Sequence, residues 1–317
     1  MEAVLETFAR VPILTGPTPL VQHSDELWLK REDLNAPLMG GQAVRALEWV
    51  LGISREQGGD LLCLGRLGTS ELAATAVHAR TVGVRLNVLP LPGPDSPLAR
   101  DHTRIVHAYA EKIWLGTKGM AGLKAWASVR FLGGVPPTTV LPGGGLYGAL
   151  GAVQQGLELA DQLDHGAMPL PEQVLVPSST GLTAAGLCVG LRLGGMEVPV
   201  VALDTKGYLR PWMLQDLSRR ILLLLRRRGA PSVPLRSLEL RQVGREPLPP
   251  ALAALTEEGP TRLALAAAAQ PGGLRLLIFG PNGQPLAPLL RGALREVPPS
   301  LAAFLGIEAA PPRRPTT

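Results

Sequence analysis

The chain has 317 residues, 46% of them hydrophobic and only 4% aromatic, so it can bury a large core resting on Leu, Val and Ala. Its formal charge of +5 comes mostly from arginine, since Lys30, Lys112, Lys118, Lys124 and Lys206 are the only lysines. The one dense basic cluster, Arg219 to Gly229, reads as an amphipathic helix with basic ends rather than a nucleic-acid surface. No apolar run reaches the roughly 18 residues that a membrane span needs, and no signal-like segment opens the chain. Two distant cysteines, Cys63 and Cys188, read as buried free thiols, so a soluble protein of a reducing, cytoplasmic compartment is expected.

In chain order, "ELWLKREDL" (Glu26–Leu34) predicts a strand followed by a loop, and "AVRALEWVLGISREQGG" a helix ending near Gly58–Gly59. "DLLCLG" (Asp60–Gly65) is a short buried strand, "TSELAATAVHARTVG" a helix stopped by Gly83, and "VRLNVLPLPG" another strand. A helix around Asp101–Tyr109, the strand "EKIWLG", the helix "AGLKAWASVRFLG" and the segment "TTVLPGGG" continue the alternation. The helix "GALGAVQQGLELADQL", the strand "EQVLVPSS", the helix "LTAAGLCVGLRLGG" and the strand "PVVALD" follow. Strands alternating with helices of this length predict an α/β fold of parallel sheets with helices on both faces. The proline-rich "PLPPALAALTEEGP" reads as a connection, and the tail 311–317 as a disordered end.

In such folds ligands sit beyond the carboxyl ends of strands, where loops run into helix N-termini. Three junctions have that form: "MGGQAV", "LGRLGTSELA" and "VPSSTGLTAAG". Small residues there let backbone N–H groups approach an anion, although each junction alone is also an ordinary turn or cap. No Ser/His/Asp order, P-loop or Cys/His metal spacing stands out.

Taken together and in this order, the junctions resemble the fold-type II pyridoxal-phosphate (PLP) enzymes of the tryptophan synthase β superfamily. Within it they are similar to the branch of 1-aminocyclopropane-1-carboxylate deaminase and D-cysteine desulfhydrase. "TPL" (Thr18–Leu20) followed by "LWLKREDL" resembles T-P-L and L-W-x-K-R-D-D-L, and "GGQAVRALE" resembles G-G-N-K-x-R-K-L-E. "GRLGTSELAATAVHARTVG" is similar to the cofactor-side segment G-x-x-G-S-N-H-A-x-A-T-A. "VLPGGGLYGALGAVQQGLEL" resembles I-P-x-G-G-x-x-x-x-G-A-L-G, and "SSTGLTAAGLCVGLRL" the phosphate loop G-S-G-G-T-A-A-G-L with its helix. The resemblance runs from about Thr18 to Asp204 and fades beyond.

The departures concern chemistry. In the family the lysine of G-N-K forms the Schiff base with PLP and normally shuttles the proton at the substrate α carbon. Here that position is Ala43, preceded by Gln42 and followed, after Arg45, by Ala46; Arg45, Leu47 and Glu48 keep the motif's register. The Ser-Asn-His that lies along cofactor and substrate carboxylate is replaced by Thr69, Ser70 and Glu71, so a carboxylate stands where a substrate carboxylate would approach. The phosphate loop is replaced by Ser179, Thr180, Gly181, Leu182 and Thr183, with Leu182 where glycine lets backbone and phosphate come close. The late P-V-Y-T-x-K segment is best matched by Glu257–Ala269, which is about two residues short there and has no tyrosine. Of the other lysines, Lys30 has a counterpart beside the family's catalytic lysine, so a structural role is expected, while Lys206 follows the strand "PVVALD" near the cleft. His78 reads as a surface or core residue rather than a catalytic base.

The resemblance implies a two-lobe protein: a larger lobe of residues 1–43 and 142–310 with the degenerate phosphate loop, and a smaller inserted lobe of residues 44–141. PLP is the cofactor it implies, held at most non-covalently or lost. A homodimer is the implied assembly, with a catalytically intact paralogue as a further candidate partner and a small amino acid or phosphate compound as candidate ligand. Neither nucleic acid nor membrane is expected as a partner. Several losses at one site point to a non-catalytic relative. The alternative is an active PLP-dependent deaminase or lyase on a small amino acid, using a non-standard base.

Overall fold

Short apolar runs that alternate with amphipathic helices close into parallel sheets, because each crossover helix can return a strand to the same side. The structure, a computed structural model, describes residues 1–114, 138–140, 144–235, 238–243, 249–255, 259–270, 272–280 and 289. In chain order its elements are α1 (Glu2–Leu5), β1 (Leu20–Gln22), β2 (Leu27–Arg31), a 3₁₀ turn (Glu32–Leu34), α2 (Gln42–Glu56), β3 (Asp60–Arg66), α3 (Ser70–Thr81) and β4 (Arg85–Leu91). Then come α4 (Pro97–Tyr109), β5 (Lys112–Ile113), β6 (Thr138–Val140), α5 (Gly145–Asp164), β7 (Gln173–Ser178), α6 (Leu182–Leu193) and β8 (Val200–Asp204). The series ends with α7 (Pro211–Arg226), β9 (Leu238–Gln242), α8 (Pro250–Ala253), α9 (Gly259–Ala268) and β10 (Arg275–Phe279).

Among the described residues the strands form two sheets, one ordered β1-β2-β10-β7-β8-β9 and one ordered β5-β4-β3-β6. Every pairing is parallel except β1 with β2. The expected α/β class with parallel sheets is therefore what the chain adopts. β7, β8 and β10 are apolar runs because both faces of their sheet are covered by helices. The predicted helix over 121–133 and the tail lie outside the described residues.

Local chemistry refines the boundaries. α4 begins at Pro97, four residues before the predicted start, because the Ser96 hydroxyl accepts the Ala99 N–H at 3.1 Å and proline suits the first helical position. α7 is the amphipathic helix expected of the basic cluster, burying Leu214, Ser218, Ile221, Leu222 and Leu225 and exposing Arg219 and Arg220.

α2 links the two sheets, packing on α5 of the six-stranded sheet and on α3 of the four-stranded one. The approach to α5 needs glycine, since a β carbon on Gly151 would run into the Arg45 carbonyl. Beneath this crossing lies a buried knot of four charges. Arg45 donates to the Glu32 carboxylate at 2.6 and 2.9 Å and to Glu158 at 3.0 Å, while Lys30 Nζ donates to Glu158 at 2.6 Å and to the Gln162 side-chain carbonyl at 2.8 Å. Lys30 and Glu32 are 0% exposed and Arg45 1%. Glu158 also accepts the Thr18 N–H at 2.9 Å, which pins the N-terminal segment. Burial opposes both carboxylates' charge, but Arg45 and Lys30 outweigh it and hold Glu32 and Glu158 below the usual carboxylate range. For Lys30 burial prevails, and its ammonium lies below the ordinary lysine range despite Glu158 and Glu32. Glu48 is occupied as well, accepting the Ile13 and Leu14 N–H groups at 2.7 and 2.8 Å and the Arg10 guanidinium at 2.8 Å.

Candidate functional site

Where β3, β7 and β8 end, loops and helix starts enclose a cavity of about 300 Å³. It lies at the carboxyl ends of parallel strands, and both sheets contribute to its walls. On one side stand Ala43 and Ala46 on α2, Cys63 and Arg66 on β3, and Thr69, Glu71 and Thr75 at the start of α3. On the other stand Ser178, Ser179, Thr180, Leu182 and Thr183 between β7 and α6, with Lys206 and Tyr208 after β8.

The junction before α2 is held by the Asn35 side chain, which accepts the Gly41 N–H at 3.0 Å and donates to the Gly41 carbonyl at 2.9 Å. Gln42, the first residue of α2, exchanges two amide hydrogen bonds with Gln155 of α5 at 3.0 and 3.1 Å. Ala43 follows and presents a methyl group to the cleft. The junction before α6 turns through Gly181, whose φ of +81° suits glycine and whose N–H donates to Ser178 Oγ at 3.0 Å. The loop after β8 hangs on Asp204, whose buried carboxylate accepts the N–H groups of Lys206, Gly207 and Leu209, each at 2.9 Å.

Of the residues singled out in the sequence, Ala43, Thr69, Glu71, Ser179, Thr180, Leu182 and Thr183 meet around this cavity. Ser70 and Gly181 do not reach its lining. Ser70 is buried at the first turn of α3, and Gly181 packs against the Leu214 and Leu217 side chains of α7. Leu182 edges the cleft but also belongs to an apolar cluster with Ala149, Ala185 and Ile221. Lys206 lines the cleft, whereas Lys30 is locked in the charge knot. His78 is buried, with Nε2 3.4 Å from the Met39 carbonyl, and burial lowers its pKa. No described residue of the Glu257–Ala269 segment lines the cleft. Tyr208, Cys63 and Arg66 were not foreseen there; Arg66 lies inside a motif already noted, but nothing local in the sequence marks Tyr208. The Cys63 thiol is pushed up to about 12 by burial and by the Glu71 charge, so it stays protonated. Among the described residues no group of His, Cys, Asp and Glu gathers to hold a metal ion, and no helix is long and apolar enough to cross a membrane.

Comparison with known proteins agrees with this architecture. The chain is 33% identical over 252 residues to nocardicin C-9′ epimerase of Nocardia uniformis subsp. tsuyamanensis, covering 74% of this chain and 75% of that protein. A crystal structure of an ACC deaminase homologue superimposes with a TM-score of 0.70 at 20% identity, covering 92% of this chain and 98% of that one. Maize serine racemase superimposes with a TM-score of 0.60 at 15% identity, covering 92% and 95%. At those identities the two structures speak for the fold alone.

Among the described residues, the lining offers hydroxyls at a helix start and one lysine amine, that of Lys206. Hydroxyls of Ser179, Thr180 and Thr183 at a helix start, with the Lys206 amine nearby, suit a phosphate. Ala43 offers no amine to an aldehyde, and Lys30 is fully buried against Glu158. Residues 11–210 match the family described as pyridoxal-phosphate dependent enzyme, and the chain belongs to that family.

Proposed function

We propose that this chain is a non-catalytic member of its family that binds a phosphate-bearing small molecule non-covalently in the cleft. The observation that carries the reading is Ala43, whose methyl lines the cleft where the resemblance puts the Schiff-base lysine. Without an amine there, the cofactor cannot be tethered at this position, and the base that normally works on the substrate α carbon is missing. General acid–base help alone is worth about 10²–10⁴-fold in rate.

The test treats purified protein with PLP, reduces it with borohydride and maps the peptides by mass. The expected outcome is that no pyridoxyl-lysine peptide forms. In parallel, phosphate or PLP raises the melting temperature by mass action, and Thr183→Ala weakens that shift. A pyridoxyl peptide containing Lys206 would overturn the non-covalent reading.

The second reading, an active deaminase or lyase with a non-standard base, is favoured by one observation: the Lys206 amine lines the same cleft. It requires release of pyruvate or ketobutyrate from D-cysteine or 1-aminocyclopropane-1-carboxylate, and loss of that release in Lys206→Ala.

A further inference from the structure

The two walls of the cleft carry different charged groups. The wall built after β7 and β8 gathers the Ser179, Thr180 and Thr183 hydroxyls and the Lys206 amine. The wall built after β3 presents the Glu71 carboxylate in the first turn of α3, where the helix N-terminus favours negative charge. Arg66 shares that wall, but it is exposed and its Nε donates to the Pro92 carbonyl at 3.1 Å. Cys63 adds no second anion, because burial and Glu71 keep it a thiol. Leu47, Val50, Leu64 and Leu72 supply apolar lining that suits a ring.

We propose that this cleft selects a phosphate monoester that also bears a primary ammonium group, with Glu71 reading the ammonium and the Ser179–Thr183 turn with Lys206 holding the phosphate. The inference rests on the preceding reading of the cleft as a non-covalent phosphate site. A ligand carboxylate directed at Glu71 is repelled and an ammonium attracted. An aldehyde gains nothing at Ala43, since no amine is there to condense with it. The vitamin B6 phosphates provide matched probes, because they share ring and phosphate and differ in one substituent.

Calorimetric titration at pH 7 compares pyridoxamine 5′-phosphate, pyridoxine 5′-phosphate, PLP and inorganic phosphate. Pyridoxamine 5′-phosphate is expected to bind about tenfold tighter than pyridoxine 5′-phosphate, the scale of one charge-assisted hydrogen bond. Glu71→Gln, with an unchanged melting temperature, is expected to bring that ratio near one. Lys206→Ala is expected to weaken all the phosphate probes alike. Equal binding of the amine and alcohol forms by the unaltered protein overturns the inference while the phosphate site stands. A preference that survives in folded Glu71→Gln overturns the role of Glu71. Binding of none of the probes overturns the phosphate-site reading itself.

Discussion

The charge knot and the cleft share one helix and make different demands on it. By the resemblance, Arg45 and Glu48 of α2 fall on residues of the family motif, and Ala43, one residue before the buried Val44, falls where we propose that the lysine is missing. Arg45 and Glu48 have other residues depending on them: two carboxylates in one case, two backbone N–H groups and Arg10 in the other. Ala43 borders the cleft. A buried charge cannot be dropped without leaving its partners unsatisfied, whereas a cleft side chain can be dropped at little expense to folding.

The sharpest way to break this contrast is Glu158→Ala. It takes from Lys30 its ion-pair partner and from Arg45 one of two carboxylates, and is expected to lower stability by about 3–5 kcal/mol, read by denaturant unfolding. A loss under about 1 kcal/mol, the range of an exposed ion pair, would put the knot in the same class as surface pairs. Gly151→Ala comes next: forcing α5 off the Arg45 carbonyl is expected to cost about 1–3 kcal/mol by overpacking, with a lower melting temperature as the readout.

Acid provides a graded version. Burial lowers the pKa of His78 and His102, so their stabilisation is full above about 6.5 and falls away as pH drops below it. Glu32 and Glu158 are also lowered; their contribution is full above about 4.3 and disappears as pH falls through their folded values. Melting curves across pH are expected to show both declines, and Glu158→Gln to shrink only the lower one. The smallest stability effect is expected from Ala43→Lys, within about 0.5 kcal/mol for a half-exposed position. That variant is expected to gain a yellow band with PLP yet turn over D-cysteine far below the roughly 1–10³ per second of ordinary enzymes. On the proposed reading, Glu71 opposes a substrate carboxylate, and the segment Glu257–Ala269 carries no tyrosine. Turnover in the ordinary range would show that the site lacked one residue only.

What the sequence disclosed follows from locality. Parallel-sheet strands such as "DLLCLG" and "PVVALD" are continuous apolar runs between glycines or prolines and helices, so the α/β class was readable. The junctions were readable because Gly, Ser and Thr at a helix start have few uses. The knot was not, since Glu158 lies 113 residues from Arg45 and only the α2–α5 crossing brings it to Lys30, Glu32 and Arg45. The strand "RLLIF" went unread although glycines flank it, as it lies beyond Asp204, where the resemblance fades. Tyr208 reaches the cleft only because Asp204 folds the loop after β8 back on itself.

That unread strand has a consequence for how the protein is made. β10 lies between β2 and β7, pairing Leu276 with Trp28 on one side and with Val174 on the other. A ribosome releases chain at about 5–20 residues per second, so β2 and β7 both emerge well before the strand that joins them. During that interval each has an unpaired apolar edge, the arrangement most open to wrong pairing with a neighbouring nascent chain. Cells making this protein quickly are therefore expected to need a holdase to cover those two edges until Phe279 has emerged.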